Sequence, residues 1–308
     1  LPETSLCEKC GVREAFYIKR DSGEKLCKKC LYRSIERNII RSLSRYSGLR
    51  REEKILYVDT FIPNIWDVSL LKIIIKISSN YKNQIYLLTF PWKQHFYKDL
   101  MDSIFQIIID PVNYIMLCSE GFNDYISFIT CFTKIRYLIG VEKALDMNIK
   151  KILIPCTRND VFLKNIFSFI YSVKEMISET YPQRAFDEII ISNPIYNLIT
   201  EDLIALSLTD VKDDLVLEKS LQQFFSSIDH RIKEFLSKFL NDEIIRELYT
   251  LGLSSREFMF SHPNLMSKYY SRYKRCRICS APIDNEKHLC RYCLTLHSSF
   301  EKISKIFR

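Results

Sequence analysis

The stretch "KILYVDTFIPNIWDVSLLKIII", Lys54 to Ile75, decides the fold. A hydrophobic run ends at Val58, and apolar residues at helical spacing resume near Trp66. This is a strand, a turn and a helix. Nucleotide-binding folds place glycines at such a junction, so that backbone amides can close around phosphate. Here the turn is Asp59-Thr60-Phe61-Ile62-Pro63-Asn64-Ile65, with no glycine. Pro63 has no amide to donate, and Asp59 is expected to set a negative charge toward any phosphate.

Outward from this unit, β-branched runs predict strands at 54–58, 84–90, 150–155 and 188–192, and one more at 105–109 or 114–118. Helices are predicted over 66–79, 92–104, 125–147, 160–181 and 200–208. Alternating strands and helices imply an α/β fold with an open, mostly parallel sheet and right-handed crossovers. After residue 210, Leu221, Phe224, Phe225, Ile228, Ile232, Phe235, Leu236, Phe239 and Leu240 recur at helical spacing. They predict an amphipathic helix whose aromatic face covers the core.

The 308 residues are 47% hydrophobic, enough for one large domain with small appendages. No apolar run reaches the roughly 18 residues of a membrane span. The LPETS start lacks the basic and apolar regions of a signal peptide, so a cytoplasmic location is expected. A net charge of +8 favours a polyanionic partner.

Eight of the eleven cysteines form two quartets: Cys7, Cys10, Cys27 and Cys30, then Cys276, Cys279, Cys290 and Cys293. Each quartet is two CxxC knuckles, the spacing that completes a tetrahedron around zinc at about 2.3 Å per bond. Two structural Zn²⁺ ions are expected. With four cysteine ligands, neither site keeps an open position for chemistry. His288 and His297 lie nearby, where either could replace a cysteine, but they are expected to be surface residues. Cys118, Cys131 and Cys156 are expected to be core thiols.

Behind the first knuckle, Arg33, Arg37, Arg41 and Arg45 lie four apart, followed by Arg50 and Arg51. Such a ribbon suits phosphate oxygens, unless Glu36, Glu52 and Glu53 neutralise it. A second cluster, Lys268, Arg272, Lys274, Arg275, Arg277 and Arg291, surrounds the last knuckle, with Tyr269, Tyr270 and Tyr273 interleaved. Cations beside aromatics suit unpaired bases and phosphate. The same tyrosines could instead pack the knuckle onto the main domain.

"CEKCGVREAFYIKRDSGEKLCKKCLYRSIERNIIRSL" (7–43) and "CRICSAPIDNEKHLCRYCLTL" (276–296) resemble the opening and closing zinc knuckles of the tRNA two-thiouridine synthetases of the PP-loop ATPase superfamily. "NPIYNLITEDLIALSL" (193–208) is similar to the segment where that family has Arg-Pro-Leu and an acidic helix start. The resemblance implies a Rossmann-like PP-loop domain that adenylates a tRNA uridine and exchanges oxygen for sulfur. Some members use three cysteines that hold an iron–sulfur cluster, and some pair an active subunit with a degenerate one. It implies a zinc knuckle at 1–32, a basic connecting helix at 33–53, the α/β domain at 54–210, a helical region at 211–268 and a second knuckle at 269–308.

The family's chemical motifs do not match. Asp59, Thr60, Phe61, Ile62, Pro63 and Asn64 stand where the phosphate loop SGGxDS is expected. In "FITCFTKIRY" (128–137) only Cys131 and Arg136 match the cysteine-and-arginine helix, with Phe128 at the first cysteine position. In "IPCTRNDV" (154–161) only Asn159 and Asp160 match a later motif. No catalytic residue is assigned, and neither ATP nor an iron–sulfur cluster is expected. The expected function is noncatalytic binding of tRNA or another structured RNA, or service as the degenerate partner of a tRNA-thiolating subunit. The alternatives are a regulatory protein docking on a large complex such as the ribosome or a polymerase, and an ATP-dependent sulfurtransferase with altered motifs. Phe61 or Ile62 is expected to fill the space that a nucleotide would take.

Overall fold

In the computed structural model, residues 5–208, 214–241, 243, 273–283 and 288–306 are described. Strands β1 (Tyr17–Ile18) and β2 (Lys25–Leu26) form a hairpin before helix α1 (Lys28–Ser42). Then follow β3 (Lys54–Val58), α2 (Asp67–Ser79), β4 (Gln84–Thr89), a 3-10 segment Pro91–Ser103 and β5 (Phe105–Ile108). Next come α3 (Val112–Gly121), α4 (Tyr125–Asp146), β6 (Lys151–Leu153), α5 (Arg158–Ile170) and a second 3-10 segment, Lys174–Thr180. They lead to β7 (Gln183–Phe186), β8 (Ile189–Ser192) and α6 (Thr200–Ser207). The remaining elements are α7 (Asp214–Ser227), α8 (His230–Asn241), β9 (Lys274–Arg275), β10 (Pro282–Ile283), α9 (Arg291–His297) and α10 (Glu301–Ile306).

Six strands form one sheet in the order β5-β4-β3-β6-β8-β7. All neighbours are parallel except β7 and β8. The order reverses between β3 and β6. In open α/β sheets this reversal opens a crevice at the carboxyl ends of the strands, and ligands bind there.

Both faces of β3 are buried, as expected of a central parallel strand. Leu56 and Val58 join a core with α3, α4 and α8, and the C-terminal cysteines lie in that same core. Ile55 and Tyr57 join a second core with α1, α2, α6 and the N-terminal cysteines. The two knuckles therefore pack on opposite faces of the sheet. Helix α4 approaches β3 closely at Gly140, where an added Cβ would lie 2.9 Å from Val58 Cγ2.

Several elements differ from the sequence expectation. Of the two alternatives for the fifth strand, 105–109 is the strand, whereas 114–118 lies within α3. The helix expected over 160–181 ends at Ile170 and is followed by the 3-10 segment Lys174–Thr180. The edge strand β7 was not anticipated, because its QRAF sequence carries no apolar run. The amphipathic region after 210 is two helices, and Asp229 caps the second by accepting the Ile232 N–H at 2.8 Å. Cys118 and Cys131 are not free core thiols: they form a disulfide joining α3 to α4, with Cα atoms 5.7 Å apart. No helix among the described residues is long and apolar enough to cross a membrane.

Candidate functional site

The turn after β3 is fastened from behind by a lysine with no exposed surface. Lys93 Nζ lies 2.5 Å from Asp59 Oδ1, 2.7 Å from Asp67 Oδ2 and 2.8 Å from Thr60 Oγ1. The other Asp59 oxygen accepts from Thr89 Oγ1 at 2.8 Å and from the Tyr97 hydroxyl at 2.7 Å. Contrary to the sequence expectation, Asp59 therefore does not present its charge to a ligand; it is consumed in a buried ion pair. Burial pushes the Asp67 carboxyl up to about 6 against the pull of Lys93, with the neighbouring Asp59 charge adding to the rise.

The same network occupies the backbone of the turn. The Asp59 N–H donates to Leu88 O at 2.9 Å, Thr60 N–H to Asp59 Oδ1 at 2.8 Å, and Asn64 N–H to Asp67 Oδ2 at 2.7 Å. Pro63 has no N–H. Phe61 is buried, with its ring 4.5 Å from that of Phe90 and 5.0 Å from that of Phe132, and its carbonyl accepts from Trp92 Nε1.

The crevice nevertheless remains open. A cavity of about 640 Å³ lies beside the turn at the reversal of strand order. Thr60, Phe61, Ile62 and Asn64 form part of its wall. Arg136, from α4, lines it and bridges the ends of β3 and β6: its Nη2 donates to Val58 O at 3.3 Å and Pro155 O at 3.1 Å. Asp160 is turned into a cap for α5, accepting from Thr157 N and Oγ1. Glu179 is held low against its burial by Arg184, 3.0 Å away, and by Lys134, 3.6 Å away. Burial raises the Cys156 thiol, which sits 3.6 Å from Lys164 Nζ.

Both cysteine quartets are assembled: in each, the four sulfurs lie within 4.8 Å of one another. The Cys10–Cys27 and Cys279–Cys290 sulfur separations are 3.9 and 3.7 Å. These match the edge of about 3.8 Å implied by tetrahedral bonds of about 2.3 Å to one ion. His288 and His297 are in neither group. In the N-terminal quartet, backbone N–H groups of Val12 and Arg13 lower the Cys10 thiol to about 6. In the C-terminal one, burial opposes ionisation of Cys279. Hydrogen bonds from its three partner cysteines and the charge of Lys134 outweigh that effect. Lys134 is itself fully buried, with Nζ 3.4 Å from Cys279 Sγ and 3.1 Å from Glu175 O. Sequence reasoning missed both Lys93 and Lys134: Lys93 belongs to no motif, and Lys134 stands at an unassigned position of FITCFTKIRY.

The basic residues divide. Leu31, Ile35, Ile39 and Leu43 face inward as expected, and Arg33, Arg37, Arg41, Arg45, Arg50 and Arg51 lie at least partly exposed. Two of the acids expected to neutralise them are engaged elsewhere: Glu36 with Lys76 at 2.7 Å and Glu53 with Lys151 at 2.8 Å. In the second cluster Lys274 and Arg277 are exposed. Arg275 is held by the Tyr181 hydroxyl and Ser280 O, and Arg291 lies over the Tyr292 ring. Lys268, Arg272, Tyr269 and Tyr270 lie outside the described residues, as does much of the 211–268 region.

No protein-family model and no curated protein matches the sequence. Among solved structures, the U34-tRNA thiolase NcsA from Methanococcus maripaludis, solved with its 4Fe–4S cluster, aligns with 96% of this chain and 97% of its own. The TM-score is 0.59 and the identity 14%. An NH3-dependent NAD synthetase from Campylobacter jejuni aligns with 76% of this chain and 96% of its own, at TM-score 0.41 and 11% identity. An NAD+ synthetase from Burkholderia pseudomallei gives 78%, 92%, 0.42 and 11%. The likeness to NcsA, with the six-stranded sheet and the terminal quartets, shows that this chain has a PP-loop ATPase-like fold carrying a four-cysteine metal-binding site near each end.

Proposed function

We propose that this protein is a noncatalytic, zinc-containing relative of the PP-loop ATPases that binds tRNA or another structured RNA. The amides of the Asp59–Asn64 turn carry the noncatalytic part. Three are bonded within the protein and a fourth position is proline. A phosphate chain entering here meets few free donors and no glycine to let the backbone approach.

The compact sulfur spacing supports one zinc ion per quartet, since a four-iron cube would hold its cysteines farther apart. A cluster like that of NcsA finds no cysteine triad in the crevice. Cys118 and Cys131 are bonded to each other, and Cys156 is the one cysteine lining the cavity among the described residues. Elemental analysis is expected to give two zinc ions per chain; stoichiometric iron would refute the assignment.

The exposed arginine ribbon on α1, freed of Glu36 and Glu53, supports the RNA part, as does the fold shared with a tRNA thiolase. Binding of tRNA is tested across a salt series. The Arg37→Glu/Arg41→Glu variant is expected to lose at least about tenfold in affinity and to flatten the salt slope by about 2. Salt-independent binding, or none at low salt, rejects the reading. The open cavity favours a second reading, an ATP-dependent sulfurtransferase with altered motifs. Pyrophosphate release dependent on tRNA would establish it.

A further inference from the structure

The cavity beside the turn has no glycine-rich phosphate loop but has a shape and a charge pattern of its own. Its volume, about 640 Å³, lies within the usual range for small-molecule sites. The helices contribute apolar wall: Ile129 and Phe132 from α4, Leu163 and Phe167 from α5, Leu236 and Phe239 from α8. The carboxyl ends of β3, β6 and β8 contribute polar groups, among them Thr60, Cys156 and Asn193.

The charges lining the cavity do not cancel. The acids are already engaged, Glu179 by two cations and Asp160 by the cap of α5. Neither Arg136 nor Lys164 has a carboxylate at ion-pair distance among the described residues, although Lys164 is near enough to help hold Glu179 ionised. Arg136 Nε is shut off from solvent and has no hydrogen-bond acceptor. Burying a guanidinium with so few acceptors is costly, and a carboxylate in the cavity would give the side of Arg136 that lines it a further acceptor. Two cations match one anionic head. They do not match a triphosphate, and the occupied amides of the turn add nothing for the remaining charge.

We propose that this cavity binds a monoanionic amphipath: one carboxylate head at Arg136 and Lys164, with an apolar body along the helical wall. RNA binding is not required, so failure on tRNA leaves the proposal standing.

The test is calorimetric titration of the full chain with octanoate, decanoate and decanamide, the neutral analogue. Decanoate is expected to bind at one site, about fourfold tighter than octanoate for each added methylene. Decanamide is expected to bind at least tenfold more weakly than decanoate. Lys164→Met and Arg136→Met should each erase most of the preference for the carboxylate. Because Arg136 also bridges two strands, Thr133→Trp supplies a second variant. It fills the cavity from α4 and should abolish binding while circular dichroism and melting stay normal. Equal affinity for decanoate and decanamide would overturn the proposal, as would undiminished binding to a folded Thr133→Trp chain. Absence of decanoate binding to a chain that binds micromolar ATP in the cavity would overturn it and favour the sulfurtransferase reading.

Discussion

The turn after β3 and the C-terminal knuckle are each built around a lysine with no exposed surface, Lys93 in one and Lys134 in the other. The difference lies in the anions. Lys93 is held by two carboxylates of the chain, Asp59 and Asp67. Lys134 is held by one carboxylate, Glu179, and by the Cys279 sulfur, whose charge a bound metal ion fixes. The first network is complete within the polypeptide. The second shares its sulfur with the quartet, so a metal ion bound there would take part in it. One region is thus locked by sequence, and the other by sequence and any bound metal together.

Breaking the first lock should have the largest effect. Lys93→Met leaves two buried carboxylates without their cation, and stability should fall by about 3–5 kcal/mol in urea denaturation. A loss under about 1 kcal/mol would mean that the turn is held by its aromatic contacts instead.

Neither lysine is legible in the sequence, for a physical reason. A lysine is by default a surface residue. Lys93 finds Asp59 34 positions away, and Lys134 reaches Cys279 across 145. No local periodicity encodes such a meeting. The quartets were legible because CxxC is itself a local geometry. The central strands were legible because burial on both faces leaves a continuous apolar run. β7 was lost because an antiparallel edge strand needs no such run. The Cys118–Cys131 bond was lost because two lone cysteines carry no spacing rule.

The next effect concerns pH. Asp67 titrates near 6 in the folded protein, above the usual carboxylate range. Between about pH 4 and 6 the folded state therefore binds more protons than the unfolded one, and stability from this group falls as pH rises through that window. Asp67→Asn removes the dependence. The stability of the wild type minus that of the variant should be about 2–3 kcal/mol greater at pH 4 than at pH 7. A pH-independent difference would show that Lys93 keeps Asp67 ionised throughout.

At the second lock, Lys134→Met should speed zinc release to a chromogenic chelator about tenfold from the C-terminal quartet and leave the N-terminal one unchanged. Equal acceleration at both would erase the distinction drawn between the two networks. The smallest effect is expected for Tyr137→Phe, which removes the hydroxyl donating to Ile278 O at 2.6 Å. A loss of about 1 kcal/mol is anticipated, seen as a lower melting temperature of the metal-loaded chain.

Lys93 also offers a chemical clock. An amine sealed from solvent cannot meet an acylating reagent until the turn swings away from the 3-10 segment Pro91–Ser103. Its labelling rate, followed by mass spectrometry beside that of surface lysines, reads how often that opening occurs. A ligand that props the turn shut would slow the clock at this one position, and one that pries it loose would quicken it.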